Sequence, residues 1–236
     1  MIRPIIKESI LDLLHLFYPH LCAGCQSDLL SVHDPICPLC IASLPETGFE
    51  NIAENPIEKT FYGRIHLKAA TSSYYFSKGS VLQHIIHALK YEKNQKAGLV
   101  LGRLLGSQLK NCNQFNEEYL LVPVPMHPGK QKQRGYNQAA VITKGIHEIT
   151  NWPLCEDAVL KLLQTTTQTK KGRNDRWENI RDGFKLNNAA ALENKHILLI
   201  DDVLTTGATL EACGHCILEA NPASLSVATI AWAGGI

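Results

Sequence analysis

The chain has 236 residues, of which 45% are hydrophobic and 19% charged, and its formal net charge is +1. This is the composition of a globular protein, and the near-neutral charge argues against a whole-surface field that would draw it onto nucleic acid or an anionic membrane. The length predicts one main domain with a small appendage.

The first 18 residues predict a short amphipathic helix. Pro19 ends a run of apolar side chains at helical spacing: Ile6, Ile10, Leu13, Leu14 and Phe17. Charged residues interrupt this run, so it does not reach the roughly 20 apolar residues needed to span a bilayer. We expect its apolar face to pack on the protein, the alternative being a membrane surface or a partner. A protein without a transmembrane segment and with a cytoplasmic location is therefore expected.

Residues 19–44 contain two Cys-x-x-Cys pairs, Cys22 with Cys25 and Cys37 with Cys40. Four thiolates at this spacing match a tetrahedral structural zinc site, in which no coordination position stays open for water. A segment this short rarely folds without a staple, and metal binding supplies one. The sequence therefore predicts a zinc-ribbon-like module. The alternatives are four unligated thiols or two disulfides.

A third Cys-x-x-Cys pair, Cys213 with Cys216, falls within a predicted helix near the C-terminus. Cysteines are commonly buried in protein cores. We therefore expect these two to be packing residues, and a redox or metal-binding role is the alternative.

Residues 45–61 are polar and contain two prolines, which predicts a linker to a domain over residues 62–236. In that domain strand-like and helix-like segments alternate, which indicates an α/β fold with a mostly parallel, twisted sheet covered by helices. The predicted strands cover residues 65–76, 120–124, 159–163, 197–200 and 225–232. The predicted helices cover residues 81–91, 97–109, 137–149 and 209–220.

Residues 196–210, HILLIDDVLTTGATL, carry the strongest chemical signal. An apolar strand ends at Ile200 and is followed by Asp201 and Asp202, then by a turn that opens a helix. Open α/β sheets bind ligands at this end of their strands, and the N–H groups at a helix start bind anions. Carboxylates beside a phosphate site fit the vicinal hydroxyls of a sugar and a divalent cation. The alternative is a surface acidic pair with a threonine-rich cap.

The same segment is similar to the signature of type I phosphoribosyltransferases, in which two acidic residues precede Thr-Thr-Gly-x-Thr. The resemblance implies that Asp201 and Asp202 contact the ribose hydroxyls of 5-phosphoribosyl-1-pyrophosphate (PRPP), bound with Mg²⁺. It also implies that the turn holds the 5-phosphate through Thr205, Thr206, Gly207, Ala208 and Thr209.

Two other segments are rich in cations. Residues 120–139 contain Lys130, Lys132 and Arg134, which suit an anion such as pyrophosphate, the alternative being a solvated basic loop. Residues 164–184 are polar and basic, which predicts a mobile lid, the alternative being an exposed polar loop with a helix. His127 is a weak candidate for a general base, since a loop histidine is the simpler interpretation.

In chain order, the cysteine pairs, the LKY at 89–91, the VPVP-to-RGYNQA stretch, the QTTTQT segment and the DDVLTTGAT turn resemble the ComF family of bacterial competence-associated proteins. This resemblance implies a type I phosphoribosyltransferase fold and a role in DNA uptake, with single-stranded DNA and other competence proteins as partners. It adds Lys90 and Arg134 to the ligand-binding residues and places Asn137 and Gln138 near the ligand. The alternative is a catalytically active phosphoribosyltransferase of nucleotide or related metabolism with an unidentified acceptor.

Overall fold

The structure, a computed structural model, describes residues 20–28, 34–162 and 183–234. The described strands are β1 (Ala70–Tyr75), β2 (Leu120–Pro123), β3 (Val159–Lys161), β4 (Phe184–Leu186), β5 (His196–Leu204) and β6 (Ser224–Trp232). The described helices are α1 (Pro38–Ala42), α2 (Pro56–Phe61), α3 (Val81–Tyr91), α4 (Gln95–Lys110), α5 (Pro128–Arg134), α6 (Gln138–Thr150), α7 (Ala189–Leu192) and α8 (Ala208–Leu218).

The centre of the fold is a parallel sheet in the order β1–β6–β5–β2. The apolar run of β5 is fully buried, as expected for a strand covered on both faces. Leu154 adds a parallel bridge to Leu121 at the outer edge of β2. A separate antiparallel hairpin joins β3 to β4. The predicted α/β fold with a parallel sheet flanked by helices is confirmed.

One face of the sheet is covered by α3, α4 and α6 together with the four-cysteine segment, and these share one apolar core. Helices α4 and α6 pack at very short range because two glycines face each other. A Cβ atom on Gly102 would lie 2.1 Å from the carbonyl oxygen of Ile142, and one on Gly145 would lie 2.3 Å from that of Leu99. This close packing places the start of α6 beside the end of β2, where the cation-rich segment lies.

The other face of the sheet is covered by α2, α8 and the β3–β4 hairpin, which form a second apolar core. Helix α8 follows β5 directly and packs back on the sheet. The hairpin lies against α8, because Phe184 of β4 and Cys216 of α8 are buried in that same core. The C-terminal end of the sheet is thus flanked by α3 and α5 on one side and by the hairpin on the other.

The segment 45–61 differs from the predicted linker. It contains a 3-10 turn (Phe49–Asn51) and helix α2, and Phe49, Ile57 and Phe61 are buried in the second core. Asn55 caps α2 and is 1% exposed; its side-chain amide donates to the carbonyl of Ala70 on β1 at 2.8 Å. The composition suggested a linker because the apolar residues are few, but those few are spaced to meet the edge of the sheet.

Two smaller differences concern element boundaries. Strand β5 continues through the acidic pair to Leu204, four residues beyond the end predicted at Ile200. The cations at 130–134 lie on the short helix α5 rather than in a loop.

Several predictions fall outside the described residues. The amphipathic helix predicted over residues 1–18 lies outside them, and so does nearly all of the lid predicted over residues 164–184. Across the three described ranges, every helix is too short or too polar to span a bilayer.

Candidate functional site

A cavity of about 360 Å³ opens at the carboxyl ends of β2 and β5. Its charged lining residues come from four elements: Lys90 lies in the last turn of α3, Lys130 and Arg134 lie on α5, Lys161 ends β3, and Asp201 and Asp202 lie on β5. The cavity therefore gathers four cations around two carboxylates. Parallel strands bring these segments to one edge of the sheet although they are far apart in the chain.

The two aspartates lie on opposite faces of β5, since successive side chains of a strand alternate. Asp202 faces α3, where its carboxylate forms an ion pair with the Nζ of Lys90 at 2.9 Å. Asp201 faces the hairpin and α8, and its carboxylate accepts a hydrogen bond from the backbone N–H of Asp202 at 2.9 Å. Both side chains nevertheless line the cavity, because the cavity opens at the carboxyl end of β5 and borders both faces of the strand there.

The electrostatics of the pair are asymmetric. Burial raises the pKa of Asp201 to about 7, and the neighbouring charge of Asp202 contributes to the rise, while Lys90 and Lys161 offset part of it. Burial also lowers the pKa of Lys161, although the charge of Asp201 opposes this shift. Of the two carboxylates, Asp202 is the one that forms an ion pair, with Lys90. A cation or hydroxyl groups bound between the aspartates would relieve their mutual repulsion.

The turn after β5 is held by contacts on its outer side. Gly207 adopts a left-handed conformation, φ +76°, and is the N-cap of α8. A Cβ atom there would lie 2.9 Å from the ring of Phe61, so only glycine fits without a shift. The guanidinium of Arg64 donates to the carbonyl of Thr206 at 2.8 Å and to the carboxylate of Glu211. The turn is thus braced by the residues at the end of α2.

The five residues of the predicted phosphate turn lie together at the start of α8, but only one of them lines the cavity. Thr209 lines the cavity alongside the aspartates. Thr205 and Thr206 are exposed at the start of α8, with Gly207 buried and Ala208 half-buried between them and Thr209. These four residues lie outside the cavity lining and border it at the helix start.

The segment after β2 forms the wall opposite the hairpin. Arg134 donates to the side-chain oxygen of Gln138 at 3.0 Å and lies over the ring of Tyr91 at 5.3 Å. The side-chain amide of Asn137 donates to the carbonyl of Val124 at 2.9 Å and fixes the segment to β2. Arg134, Asn137 and Gln138, which the sequence analysis expects near a ligand, all line the cavity.

His127 lines the same cavity, but its Nδ1 accepts a hydrogen bond from the N–H of Gly129 at 3.1 Å. It is the N-cap of α5. This structural role accounts for its ring orientation.

Two residues at or next to the cavity were missed by the sequence interpretation. Lys161 ends the apolar strand VLK, and a cation at the carboxyl end of a strand is the signal that could have revealed it. Arg64 gave no such signal. It lies in a polar stretch, and its partner Glu211 is 147 residues away in the chain.

The four cysteines of the N-terminal segment form a compact cluster. Their sulfurs all lie within 4.8 Å of one another, with 3.8 Å between Cys22 and Cys40 and 3.9 Å between Cys25 and Cys37. Sulfurs about 2.3 Å from a tetrahedral metal are about 3.8 Å apart, so the cluster fits a metal ion without rearrangement. Backbone N–H groups of Gly24 and Cys37 point at the sulfur of Cys22. Burial opposes ionisation of Cys22, but hydrogen bonds from the backbone N–H groups of Cys25, Cys37 and Gly24 outweigh it and lower the pKa of the Cys22 thiol to about 6.

Cys213 and Cys216 differ from that cluster. Both are buried in the second core on α8, and burial raises the pKa of each thiol. Among the described residues, neither belongs to a group of three or more potential metal ligands. The structure thus gives them the surroundings of packing residues.

Comparisons with known proteins agree with this picture. A family model described as "Phosphoribosyl transferase domain" matches residues 157–235. Competence protein F of Haemophilus influenzae is 27% identical over 84% of this chain and 83% of its own length. Competence protein ComFC of Bacillus subtilis is 26% identical over 86% of this chain and 80% of its own. DNA utilization protein YhgH of Escherichia coli is 26% identical over 62% of this chain and 65% of its own length.

Among solved structures, glutamine phosphoribosylpyrophosphate amidotransferase from B. subtilis is 18% identical, with a TM-score of 0.42 over 57% of this chain. The chain covers only 26% of that protein. This likeness is weak, and the fold assignment depends on the family model and the sheet topology instead. The chain therefore has homologues among the competence proteins over most of its length, a phosphoribosyltransferase domain match over residues 157–235, and a cluster of four cysteines near its N-terminus.

Proposed function

We propose that the cavity binds PRPP with Mg²⁺, and that the protein acts in this form during DNA uptake. The observation that carries the proposal is the placement of Asp201 and Asp202 at the end of β5, facing four cations across one cavity. The carboxylates suit the ribose hydroxyls and Mg²⁺. The N-terminus of α8, with Thr205 to Thr209, suits the 5-phosphate, because unpaired N–H groups there bind anions.

The cations of the cavity suit the pyrophosphate. Lys130 and Arg134 extend from α5 on one side, and Lys161 lies on the other. Lys90 is paired with Asp202, so bound Mg²⁺ would compete with it for the carboxylate and release it toward a phosphate oxygen. Bound PRPP with Mg²⁺ would in this way relieve the repulsion between the aspartates, and the protein would contact both its 5-phosphate and its pyrophosphate.

We also propose that the four cysteines hold zinc. Cys22, Cys25, Cys37 and Cys40 provide four thiolate ligands at tetrahedral separations, which is typical of a closed structural site. Bound zinc would fix the segment that packs on α3, the helix that carries Lys90 in its last turn. Its contribution would be to folding and not to chemistry, because all four coordination positions are filled by protein.

A role in DNA uptake is supported by the relatives, which are named competence and DNA utilization proteins. Single-stranded DNA and other competence proteins are the proposed partners, and the cytoplasm is the proposed location. Lys130 and Lys132 on the exposed helix α5 offer contacts to DNA phosphates. Such contacts release counterions, so DNA binding through them would weaken steeply with added salt.

The second candidate is a catalytic phosphoribosyltransferase. It is favoured by the lining of the cavity, which includes Leu162 and Gly183 of the hairpin as well as the two aspartates and so offers contacts to an acceptor beside the sugar. An acceptor nucleophile would form a bond to C1 of the ribose while the bond from C1 to the pyrophosphate oxygen breaks, and pyrophosphate would leave with Mg²⁺. Pyrophosphate release on addition of acceptors would separate turnover from binding alone.

Titration calorimetry with PRPP and Mg²⁺ tests the binding proposal. We expect the double variant Asp201→Asn/Asp202→Asn to lose about 100-fold or more in affinity, since both hydroxyl acceptors and the cation site are weakened. Asp157→Asn is the matched control, because Asp157 is exposed and lies outside the cavity lining. Equal affinity of the wild type and the double variant would refute the ribose assignment.

A further inference from the structure

The turn after β5 is held from behind by the side chain of Arg64. Its Nη1 donates to the carbonyl of Thr206 at 2.8 Å and to the carbonyl of Thr60 at 3.0 Å. Its Nε and Nη2 both donate to the carboxylate of Glu211, in the first turn of α8. The guanidinium thus connects α2, the turn and α8 through its planar fork of donors.

We propose that Arg64 is a positioning residue for the phosphate turn, and that it sets the orientation of the peptide between Thr206 and Gly207. This inference rests on the proposed function, because it concerns how the same turn holds the 5-phosphate. In a planar trans peptide the C=O and the N–H point in opposite directions. Holding the Thr206 carbonyl toward Arg64 therefore turns the N–H of Gly207 away from Arg64.

Gly207 makes this fixation necessary. Glycine reaches left-handed and right-handed conformations at similar cost, so a peptide beside it can flip more easily than elsewhere. The conformation found, φ +76°, is therefore not selected by the residue itself. The hydrogen bond from Arg64 selects it, and the ring of Phe61 against Gly207 limits the space for the alternative.

Arg64 also neutralises a charge that would oppose the ligand. Glu211 lies in the first turn of α8, next to the proposed phosphate site, and its side chain is only 12% exposed. An unpaired carboxylate at that place would repel a phosphate. Its ion pair with Arg64, in which Nε and Nη2 donate to the same carboxylate oxygen, removes the repulsion and leaves the positive end of the helix available to an anion.

The segment that carries Arg64 is anchored to the sheet. Arg64 follows α2, whose cap residue Asn55 is buried and donates to β1 through its side-chain amide. Arg64 also lies over the ring of Phe61 at 5.9 Å. These contacts connect the turn to the sheet. The segment that makes them precedes the phosphoribosyltransferase-domain match, which begins at residue 157.

The ligand test compares two halves of PRPP in calorimetry: ribose 5-phosphate alone, and pyrophosphate with Mg²⁺. For Arg64→Gln we expect the affinity for ribose 5-phosphate to fall about tenfold or more, as for loss of a charge-assisted hydrogen bond, with pyrophosphate affinity unchanged. Arg103→Gln is the matched control. It breaks an Arg–Glu pair between α4 and α6, with Glu148 at 2.6 Å, on exposed surface.

A second measurement needs no ligand. Amide hydrogen exchange at residues 205–209 should accelerate about tenfold in Arg64→Gln, because the turn samples flipped peptides, while the amides of β5 keep their protection. Arg103→Gln should leave the turn unchanged. If exchange in the turn is the same in wild type and Arg64→Gln, the inference is overturned, even when the variant is less stable overall.

The two proposals fail in different ways. If the wild type binds neither ribose 5-phosphate nor PRPP, the proposed function fails, while hydrogen exchange still decides the role of Arg64. If the wild type binds both ligands and Arg64→Gln weakens ribose 5-phosphate and pyrophosphate equally, a positioning role at the 5-phosphate is refuted and the proposed function stands.

Discussion

The four-cysteine cluster and the cavity at the sheet edge both concentrate ionisable groups, but they are built in opposite ways. The cluster takes all its groups from the stretch between Cys22 and Cys40, where two short knuckles set the sulfur positions. The cavity takes its groups from α3, α5, β3 and β5, which only the folded sheet brings together. A local site is encoded by spacing, whereas a dispersed site depends on packing elsewhere in the molecule.

The two sites also differ in their energetics. Metal bound to the cluster would contribute folding free energy directly, because an ordered set of four thiolates does not exist in the unfolded chain. The cavity has the opposite effect on the ligand-free protein, since it holds two neighbouring carboxylates of which one has a raised pKa. We therefore expect substitutions in the cluster to destabilise the protein and some substitutions in the cavity to stabilise it.

The largest expected effect is that of Cys40→Ser. Removing one of four ligands should abolish most metal binding and cost several kcal/mol of unfolding free energy, because metal affinity is part of the folding free energy. Metal content by mass spectrometry and urea unfolding would measure both changes. Cys112→Ser is a control from outside the cluster. A Cys40→Ser variant with a full equivalent of metal and unchanged stability would contradict the proposed site.

A smaller effect of opposite sign is expected for Asp201→Asn in the ligand-free protein. The folded-state pKa of Asp201 is about 7, above its ordinary value of 3.8, so the folded protein holds this proton more tightly than the unfolded chain. Stability should therefore decrease as the pH rises from about 4 through 7, by on the order of 4 kcal/mol, and Asp201→Asn should flatten this dependence. The variant should then exceed the wild type in stability at about pH 8.

Urea unfolding at several pH values would measure this effect, with Asp157→Asn as a variant that keeps the wild-type slope. If the free energy of unfolding of Asp201→Asn depends on pH as it does in the wild type, the Asp201 carboxyl is not the group whose raised pKa causes that dependence. Combined with lost PRPP binding, the gain in stability would identify Asp201 as a residue kept for ligand binding at a cost to folding.

The smallest effect is expected at the third Cys-x-x-Cys pair. Cys216→Ser should change metal content and PRPP affinity by less than the error of measurement and stability by about 1 kcal/mol, since it alters one packed side chain at the edge of a core. Alkylation of native protein near neutral pH should spare Cys213 and Cys216, because burial raises the pKa of both thiols and keeps them protonated. Rapid labelling of Cys216 would reopen a redox role for this pair.

Much of the fold followed from local patterns. Helix α3 has the bounds predicted from its apolar spacing, and β6 begins one residue before its predicted start. The acidic pair and the glycine turn were found because their residues are adjacent in the chain and each type has a specific use at the end of a strand. The helix assigned to α5 was missed because its residues are all exposed or half-buried, which leaves no apolar periodicity to detect.

The sequence by itself determined the alternation of strands and helices, the four-cysteine cluster and the identity of the Asp201–Thr209 turn, because each depends on residues close together in the chain. Only the tertiary structure decided that Lys161 lines the cavity and that residues 45–64, through Arg64, support that turn from behind. Arg64 and Glu211 meet across 147 positions of chain. Such a contact is set by how helices pack on the sheet, and no local pattern of residue types contains that information.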